Sequence, residues 1–542
     1  MAWRRLLVWP AGLAIAAVAV MHLRAWRFVS DDAYISFRFA RNLAEHGTLA
    51  YNVAAPREVI EGYTNFLWVM ILAAGQWVGV APERFAPWLT GLSALAGLVL
   101  VCGLLRVLRG GWSLLPGLLL AVGPEFMVWG QGGLETSFAA ALALGAMVAV
   151  GGGRWRTAGV VTALAGLTRP DALLAIGLFV ATWLIVHGRK GWPGWRALLA
   201  AGALAAGPLL LHLLWRHLYY GEWLPNTWQI KQFGGLLRGT YGVWYVEAWA
   251  RGVGLVGLVP LAPWLRARHL VLVVPIAGSL AYAWAIGGDF MAYGRFLVVA
   301  TALWAVLFAW LLADASAWVG GRVAWLRRVP VAALLGLVAA SWLGFMAHAR
   351  WLEDRATPTG WIAGRWEGVT AMDRFARERV HAGLWLREHV PGDTWITVGA
   401  AGALPYASGL QVVDVYGLVD PWPRRVQLLR PSARGRPGHQ LLAPLAELRV
   451  RDPDLYCHVG HVGPRVPSQA SAVARGLGPE MRWACATPGP LADPREPTGI
   501  LDLGHYCCLR PRGRVVGPFS DDAAPTGMTG STGSTGSLVE AP

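Results

Sequence analysis

The stretch WLTGLSALAGLVLVCGLLRV, residues 88–107, carries one charged side chain, Arg106, near its far end. Twenty residues of α-helix rise about 30 Å, the thickness of a bilayer's hydrocarbon core. The same character returns at 6–22, 66–80, 112–128, 137–150, 157–168, 171–187, 197–215, 252–265, 270–287, 296–312 and 330–347. Over all 542 residues, 55% are hydrophobic and only 15% charged, where a soluble domain has about 25% charged. The chain is expected to be an α-helical polytopic membrane protein. The first apolar run, behind Arg4 and Arg5, also resembles a signal peptide with Ala17-Val18-Ala19 as a cleavage site; a retained first helix is the expectation, since further spans follow.

The basic residues set the sidedness. They cluster as Arg4 and Arg5; Arg106 and Arg109; Arg154 and Arg156; Arg189, Lys190 and Arg196; Arg266 and Arg268; and Arg322, Arg327 and Arg328. If all twelve segments crossed from a cytoplasmic N-terminus, every cluster after the first would fall outside. If 66–80 lies at the outer surface instead, all six clusters fall inside. That segment is also short for a span. Eleven transmembrane helices are therefore expected, the N-terminus cytoplasmic and the C-terminal region outside. The net charge of +15 is then a property of loops facing anionic lipid, and no nucleic-acid partner is expected.

The expected domains are a transmembrane domain over 1–349 with a first outer loop at 24–87, a loop-rich α/β domain over 350–519, and a disordered Thr-Gly-Ser tail over 520–542. Within the second, 350–390 reads as helical, and 393–400 and 411–415 as short strands. Cys457, Cys485, Cys507 and Cys508 lie in that region, where one or two disulfides would indicate an oxidising compartment; buried free thiols are the alternative. Cys102, in an apolar run, reads as a small hydrophobe.

With this topology the polar clusters all reach the outer face: Asp31-Asp32, Glu61 to Asn65, Gly132 to Thr136, Thr168 to Asp171, Leu224 to Thr227 and Gly287 to Met291. A carboxylate such as Asp31 or Asp32 could take a proton from an attacking hydroxyl. Ser30-Asp31-Asp32 equally reads as the capped, acidic first turn of a helix running to about Glu45. Arg38, Arg41, Arg169, Lys231 and Arg295 are the outer-face cations able to meet a phosphate, though each also reads as an interfacial anchor. Of the 31 tryptophans, most suit interfacial belts; Trp68, Trp129 and Trp228 could stack on a sugar. His458 and His461 beside Cys457 lack metal-site spacing, and no metal or other cofactor is expected.

Seven stretches occur in order: DDAYISFRFARNLAEHGTLAYN from Asp31, EGYTNFLW from Glu61, GLET from Gly133, LTRPDALL from Leu167, YYGEWLPNTWQIK from Tyr219, GGDFMAYGRFL from Gly287 and GALPYASGLQVVDVYGLVDP from Gly402. Together they resemble the integral-membrane GT-C glycosyltransferases, most closely the AftB-like (terminal arabinofuranosyltransferase) branch. The resemblance implies about eleven spans, a catalytic aspartate in the first outer loop with interfacial helices, and a periplasmic C-terminal domain. It further implies an inverting transferase with a polyprenyl-phosphate sugar, for example a pentofuranose such as arabinofuranose, as donor and an envelope glycan or glycolipid as acceptor, in a bacterial inner membrane. By position, Asp31 would be the base with Asp32 beside it. Lys231, Arg295 and Arg169 would meet the donor phosphate. Asp289, Glu61, Tyr63, Asn65, Glu135 and Asn226 would surround sugar and acceptor. After Arg295-Phe296-Leu297 stands Val298-Val299-Ala300, where a proline is expected. A glycolipid carrier with a non-catalytic outer cavity, and an assembly or sensor protein binding cell-wall polymer, are the rival readings. Crowding of polar clusters on one face, rather than helices broken at mid-bilayer, favours the enzyme.

Overall fold

The computed structural model describes residues 2–54, 59–111, 113–231, 238–323, 331–356, 361–362, 366–431, 439, 441–474, 477–496 and 498–520. The tail expected after 520 lies outside the described residues. The chain divides into two units.

The first unit comprises Met1–Leu49, Tyr63–Trp228 and Leu236–Arg374 and is helical. Its helices are α1 (Ala2–Ala25), α2 (Asp31–His46), α3 (Phe66–Trp77), α4 (Pro82–Arg109), α5 (Leu115–Val122), α6 (Pro124–Met127), α7 (Thr136–Gly151) and α8 (Trp155–Thr168). There follow α9 (Ala172–Gly191), α10 (Trp195–Tyr220), α11 (Asn226–Lys231), α12 (Arg238–Gly252), α13 (Leu270–Ile286), α14 (Val298–Arg322) and α15 (Val331–Ala356). Among the described residues, six helices are long and apolar enough to cross a membrane: Pro82–Arg109, Ala172–Gly191, Trp195–Tyr220, Ala267–Ile286, Arg295–Arg322 and Ala332–Ala356. Trp9–Ala25, Phe66–Trp77, Thr136–Gly151 and Leu255–Trp264 are apolar but shorter.

Two expected continuous spans are broken. Segment 112–128 splits at Gly123 into α5 and α6, because Pro124 has no N–H to continue the α5 ladder. In 252–265 the chain runs as a 3-10 helix, Leu255–Trp264, with Pro260 and Pro263 inside it. The 66–80 segment forms only the twelve residues of α3, about 18 Å of helix.

The core of this unit forms around α14. Every side chain from Ala300 to Leu312 is buried, so the helix is apolar all round. At the other extreme, α10 exposes Leu199, Leu210, Leu211, Leu214 and Leu218, a surface suited to lipid. Small residues allow close crossings: a Cβ on Gly159 of α8 would stand 2.3 Å from the Ala201 carbonyl of α10.

The second unit comprises Ala50–Gly62, Gln229–Gly235 and Phe375–Pro542. The chain enters it through α16 (Val369–His389), so the helical reading of 350–390 is interrupted. After α15 ends at Ala356, the two-residue strands β1 (Trp361–Ile362) and β2 (Trp366–Glu367) pair before α16 begins. Asp354 then caps α16, its carboxylate accepting from the Val369 and Thr370 amides at 2.8 Å each.

The unit's sheet has the order β4-β3-β7-β11-β8, from β3 (Trp395–Val398), β4 (Gln411–Asp414), β7 (Leu455–Gly463), β8 (Met481–Ala486) and β11 (His505–Pro511). The β4-β3-β7 pairs are parallel and the β7-β11-β8 pairs antiparallel. The short ribbons β5–β6 (Arg430–Pro431, Leu441–Leu442) and β9–β10 (Leu491–Ala492, Ile500–Leu501) lie outside it. The two expected strands are β3 and β4. Segment 50–62 joins this sheet through Asn52, whose amide donates to Val412 O at 2.8 Å and accepts from Val412 N at 2.9 Å. α17 (Ala403–Ser408) connects β3 to β4, with α18 (Trp422–Arg425) and α19 (Gln469–Ala474) further on.

Both disulfides sit on β11. Cys507 bonds Cys485 of β8, and Cys508 bonds Cys457 of β7. Adjacent residues of a strand point to opposite faces, so β11 is tied to a neighbour on each side. Cys102 is free and buried.

Candidate active site

The helical unit gathers charge at one end of several helices. The segment before α2 is seated on the 130–133 turn: Ser30 N donates to Gly132 O at 3.2 Å, and Phe28 packs edge-on to Trp129 at 5.9 Å. Gly133, at φ +73°, brings that turn against Val29, Ala33 and Phe37, a backbone state that favours glycine. The helix expected from Ser30-Asp31-Asp32 forms and runs to His46, but Ser30 makes no side-chain cap bond. Asp31 and Asp32 form the acidic first turn of α2, as the sequence suggests.

From the far end of the sequence, Gly287 ends α13 in the left-handed region, and Gly288 holds a second positive φ of 70°. This double reversal delivers Asp289 into the interior, 4% exposed. Arg295 Nε lies 2.7 Å from Asp289 Oδ2, and Arg295 Nη1 lies 3.8 Å from Asp32 Oδ2. The guanidinium also stands over Trp129 at 5.9 Å and Phe296 at 5.2 Å.

A second knot lies against the same Phe296 ring, 5.3 Å from the Arg169 guanidinium. Arg169 forks onto Asp171 at 3.0 and 2.9 Å and reaches Glu135 Oε1 at 2.9 Å. Glu135 Oε2 accepts from Asn65 Nδ2 at 2.7 Å, and Asn65 bonds Ser36 on α2. Arg169, Asp171, Tyr282, Arg295 and Phe296 line one cavity, whose enclosed part is about 30 Å³ within about 460 Å³ continuous with solvent. Alanines and valines of α7, α9 and α14 complete it.

The structure thus joins Asp32, Asp289 and Arg295 in one group, and Asn65, Glu135, Arg169 and Asp171 in another, with Asp31 next in chain to the first. Tyr63 is elsewhere in the unit: its hydroxyl meets that of Tyr220 at 3.1 Å, and its ring packs on Phe39. Asn226 is buried at the start of α11. Glu61 is buried in the second unit. Lys231 ends α11, and its side chain lies outside the described residues. Phe296 and Tyr282 were not read as site residues from sequence. Each sits in an apolar run where an aromatic carries no signal, although Phe296 directly follows Arg295.

Chemically, the two arginines differ. Arg169 is held on three hydrogen bonds. Arg295 has one close carboxylate, a second beyond hydrogen-bond reach, and terminal nitrogens with no hydrogen bond among the described residues. A fork so held is ready for a planar or tetrahedral anion.

The fold has solved counterparts. ArnT from Cupriavidus metallidurans bound to undecaprenyl phosphate superposes with a TM-score of 0.52 at 13% identity, covering 94% of this chain and 98% of that one. The apo state of the same protein gives 0.53 with the same identity and coverage. The chain has the GT-C fold. Arabinofuranosyltransferase AftD from Mycobacteria matches at 16% identity over 92% of this chain and 40% of that one, with a TM-score of 0.46. A family model described as "Domain of unknown function (DUF8728)" matches residues 370–475. No curated protein matches.

Proposed function

We propose that the protein is a membrane glycosyltransferase that moves a sugar from a polyprenyl-phosphate donor to a hydroxyl of an envelope glycan or glycolipid. The observation that carries this reading is Arg295, held by Asp289 beside Asp32, in a cavity shared with Arg169. In the proposed step Asp31 takes the acceptor hydroxyl's proton as its oxygen attacks the anomeric carbon. The bond from that carbon to the phosphate oxygen breaks with inversion. The departing phosphate keeps the electron pair, and Arg295 and Arg169 stabilise its charge in place of a metal. Asp32 orients the acceptor and balances Arg295. Glu135 and Asn65 hold Arg169.

The fold supports the lipid donor, since ArnT carries undecaprenyl phosphate in its crystal. The two disulfides of the second unit support an oxidising, periplasmic side for it. With them goes the proposed topology of eleven crossings in a bacterial inner membrane, α3 at the outer surface. A pentofuranose such as arabinofuranose is the proposed sugar, on the sequence resemblance alone.

The test is transfer of labelled sugar from a panel of polyprenyl-phosphate sugars by the purified protein. Turnover with at least one donor, dependent on Asp31, is expected. Absence of turnover with every donor, together with movement of labelled glycolipid between leaflets, would replace the transferase by a carrier.

A further inference from the structure

The helical unit carries a second basic pocket at the opposite ends of the helices that build the site. α7 leaves Glu135 and ends at Gly151, and α8 begins at Trp155 and returns to Arg169. α9 leaves Asp171 and reaches Gly191, and α10 begins at Trp195. Fourteen to twenty residues of helix separate the two ends, about 21–30 Å, close to one hydrocarbon core.

At this far end lies a cavity of about 600 Å³, within about 1,070 Å³ continuous with solvent, a size suited to a small ligand. Arg154, Arg156 and Lys190 stand around it, with Trp155, Trp183 and Trp192 as walls. Trp155 and Trp183 are buried, and His187 stacks on Trp183 at 3.8 Å. Gly188, at φ 49° and ψ −132°, breaks α9 just before Lys190 and Trp192, which line the pocket. None of the three cationic side chains has a hydrogen bond or ion pair among the described residues. Between residues 137 and 197 Asp171 is the one acidic side chain, and it belongs to the other end.

We infer that this pocket binds the headgroup of an anionic phospholipid in the leaflet opposite the Asp31 site. Three unneutralised cations supply the charge complement, and exposed Trp192 and Trp195 lie where aromatic residues anchor at a headgroup boundary. The site stands apart from the proposed transfer reaction and does not depend on it.

The full chain in neutral detergent is titrated with dihexanoyl-phosphatidylglycerol, dihexanoyl-phosphatidylcholine and inorganic phosphate, with binding read by calorimetry. The expected order is phosphatidylglycerol tightest, the other two at least tenfold weaker. The triple variant Arg154→Gln/Arg156→Gln/Lys190→Gln should lose about a hundredfold in phosphatidylglycerol affinity, at about 1 kcal/mol per cation. A charge-matched control, Arg387→Gln/Arg465→Gln/Arg512→Gln in the second unit, should lose less than threefold. Single variants, checked for helicity by circular dichroism, cover the case in which the triple variant misfolds; each should lose about fivefold. Equal binding of phosphate and phosphatidylglycerol would make this a free-anion site and overturn the lipid assignment. Equal losses in the control would reduce it to net charge, and unchanged affinity in the triple variant would remove the site.

Discussion

Arg295 Nε stands 2.7 Å from Asp289 Oδ2, both side chains at least nine-tenths buried. Asp289 reaches that point through the double glycine reversal at Gly287-Gly288, and Arg295 through the 3-10 turn that opens α14. The carboxylate lies along one edge of the guanidinium fork, leaving the other edge toward Asp32 and the cavity.

Arg295→Lys keeps the charge but loses the fork. It should cost about 10²–10³-fold in kcat/KM for sugar transfer, the usual range for removing one aimed donor. Asp289→Asn should cost less, about tenfold, by loosening Arg295 while leaving its charge. If Arg295→Lys transfers sugar as well as the wild type, the fork has no role.

Asp31→Asn should lower kcat by about 10²–10⁴-fold with little change in donor binding, as expected for loss of a general base. Asp32→Asn should instead alter donor KM, because Asp32 is the carboxylate 3.8 Å from Arg295. Single-turnover kinetics with saturating donor separates the two. The reverse pattern would exchange their roles.

The helical class and the polar clusters were legible because lipid imposes long apolar runs, and a charged residue between them is expensive enough to mark a site. Asp31, Asp32, Glu135, Arg169 and Arg295 stood out for that reason. What the one-dimensional pattern could not convey is pairing. Nothing in LTRPDALL says that Arg169 bonds Glu135 as well as its neighbour Asp171. Phe296 under two guanidiniums looks in sequence like one more apolar residue. The break at Pro124 and the 3-10 run at 255–264 were hidden by hydropathy, which counts apolar residues without asking whether the backbone can continue. In the second unit, Asn52 completing the edge of β4 depends on tertiary packing that no local signal announces.

The disulfides close stretches of 51 and 22 residues. Loop-closure entropy assigns them about 4 and about 3 kcal/mol, taken singly. Reduction should therefore raise hydrogen exchange across β7, β8 and β11 while the buried core of α14 stays protected. Cys485→Ser/Cys507→Ser alone should give a smaller effect than full reduction. No change in exchange on reduction would mean that the sheet's packing, not its cross-links, holds β11.

Acid should loosen the second unit through Asp493. Burial favours its neutral form, but hydrogen bonds from Arg495 and Arg377 outweigh this and hold its pKa down at about 2. Because the folded value lies below the unfolded value of about 3.9, the stabilisation is present above pH 4 and is lost as pH falls toward 2. Arg377 Nη1 also stands 2.7 Å from Glu496 Oε1, so Arg377→Gln takes one partner from each carboxylate. The acid midpoint of hydrogen-exchange protection in this unit should move to higher pH in that variant. An unmoved midpoint would place the acid sensitivity elsewhere.

The proposed transfer requires the carboxylate–arginine cluster to face the outer side of the membrane. Single cysteines at His46→Cys, on the α2 that begins with Asp31, and at Arg154→Cys, beside the far pocket, can be reacted with a membrane-impermeant maleimide in intact spheroplasts. The native background is low, since Cys102 is buried and the other four cysteines are paired. The expected result is labelling at position 46 without permeabilisation and at position 154 only after it. Labelling of both from the same side, or of 154 alone from outside, would contradict it.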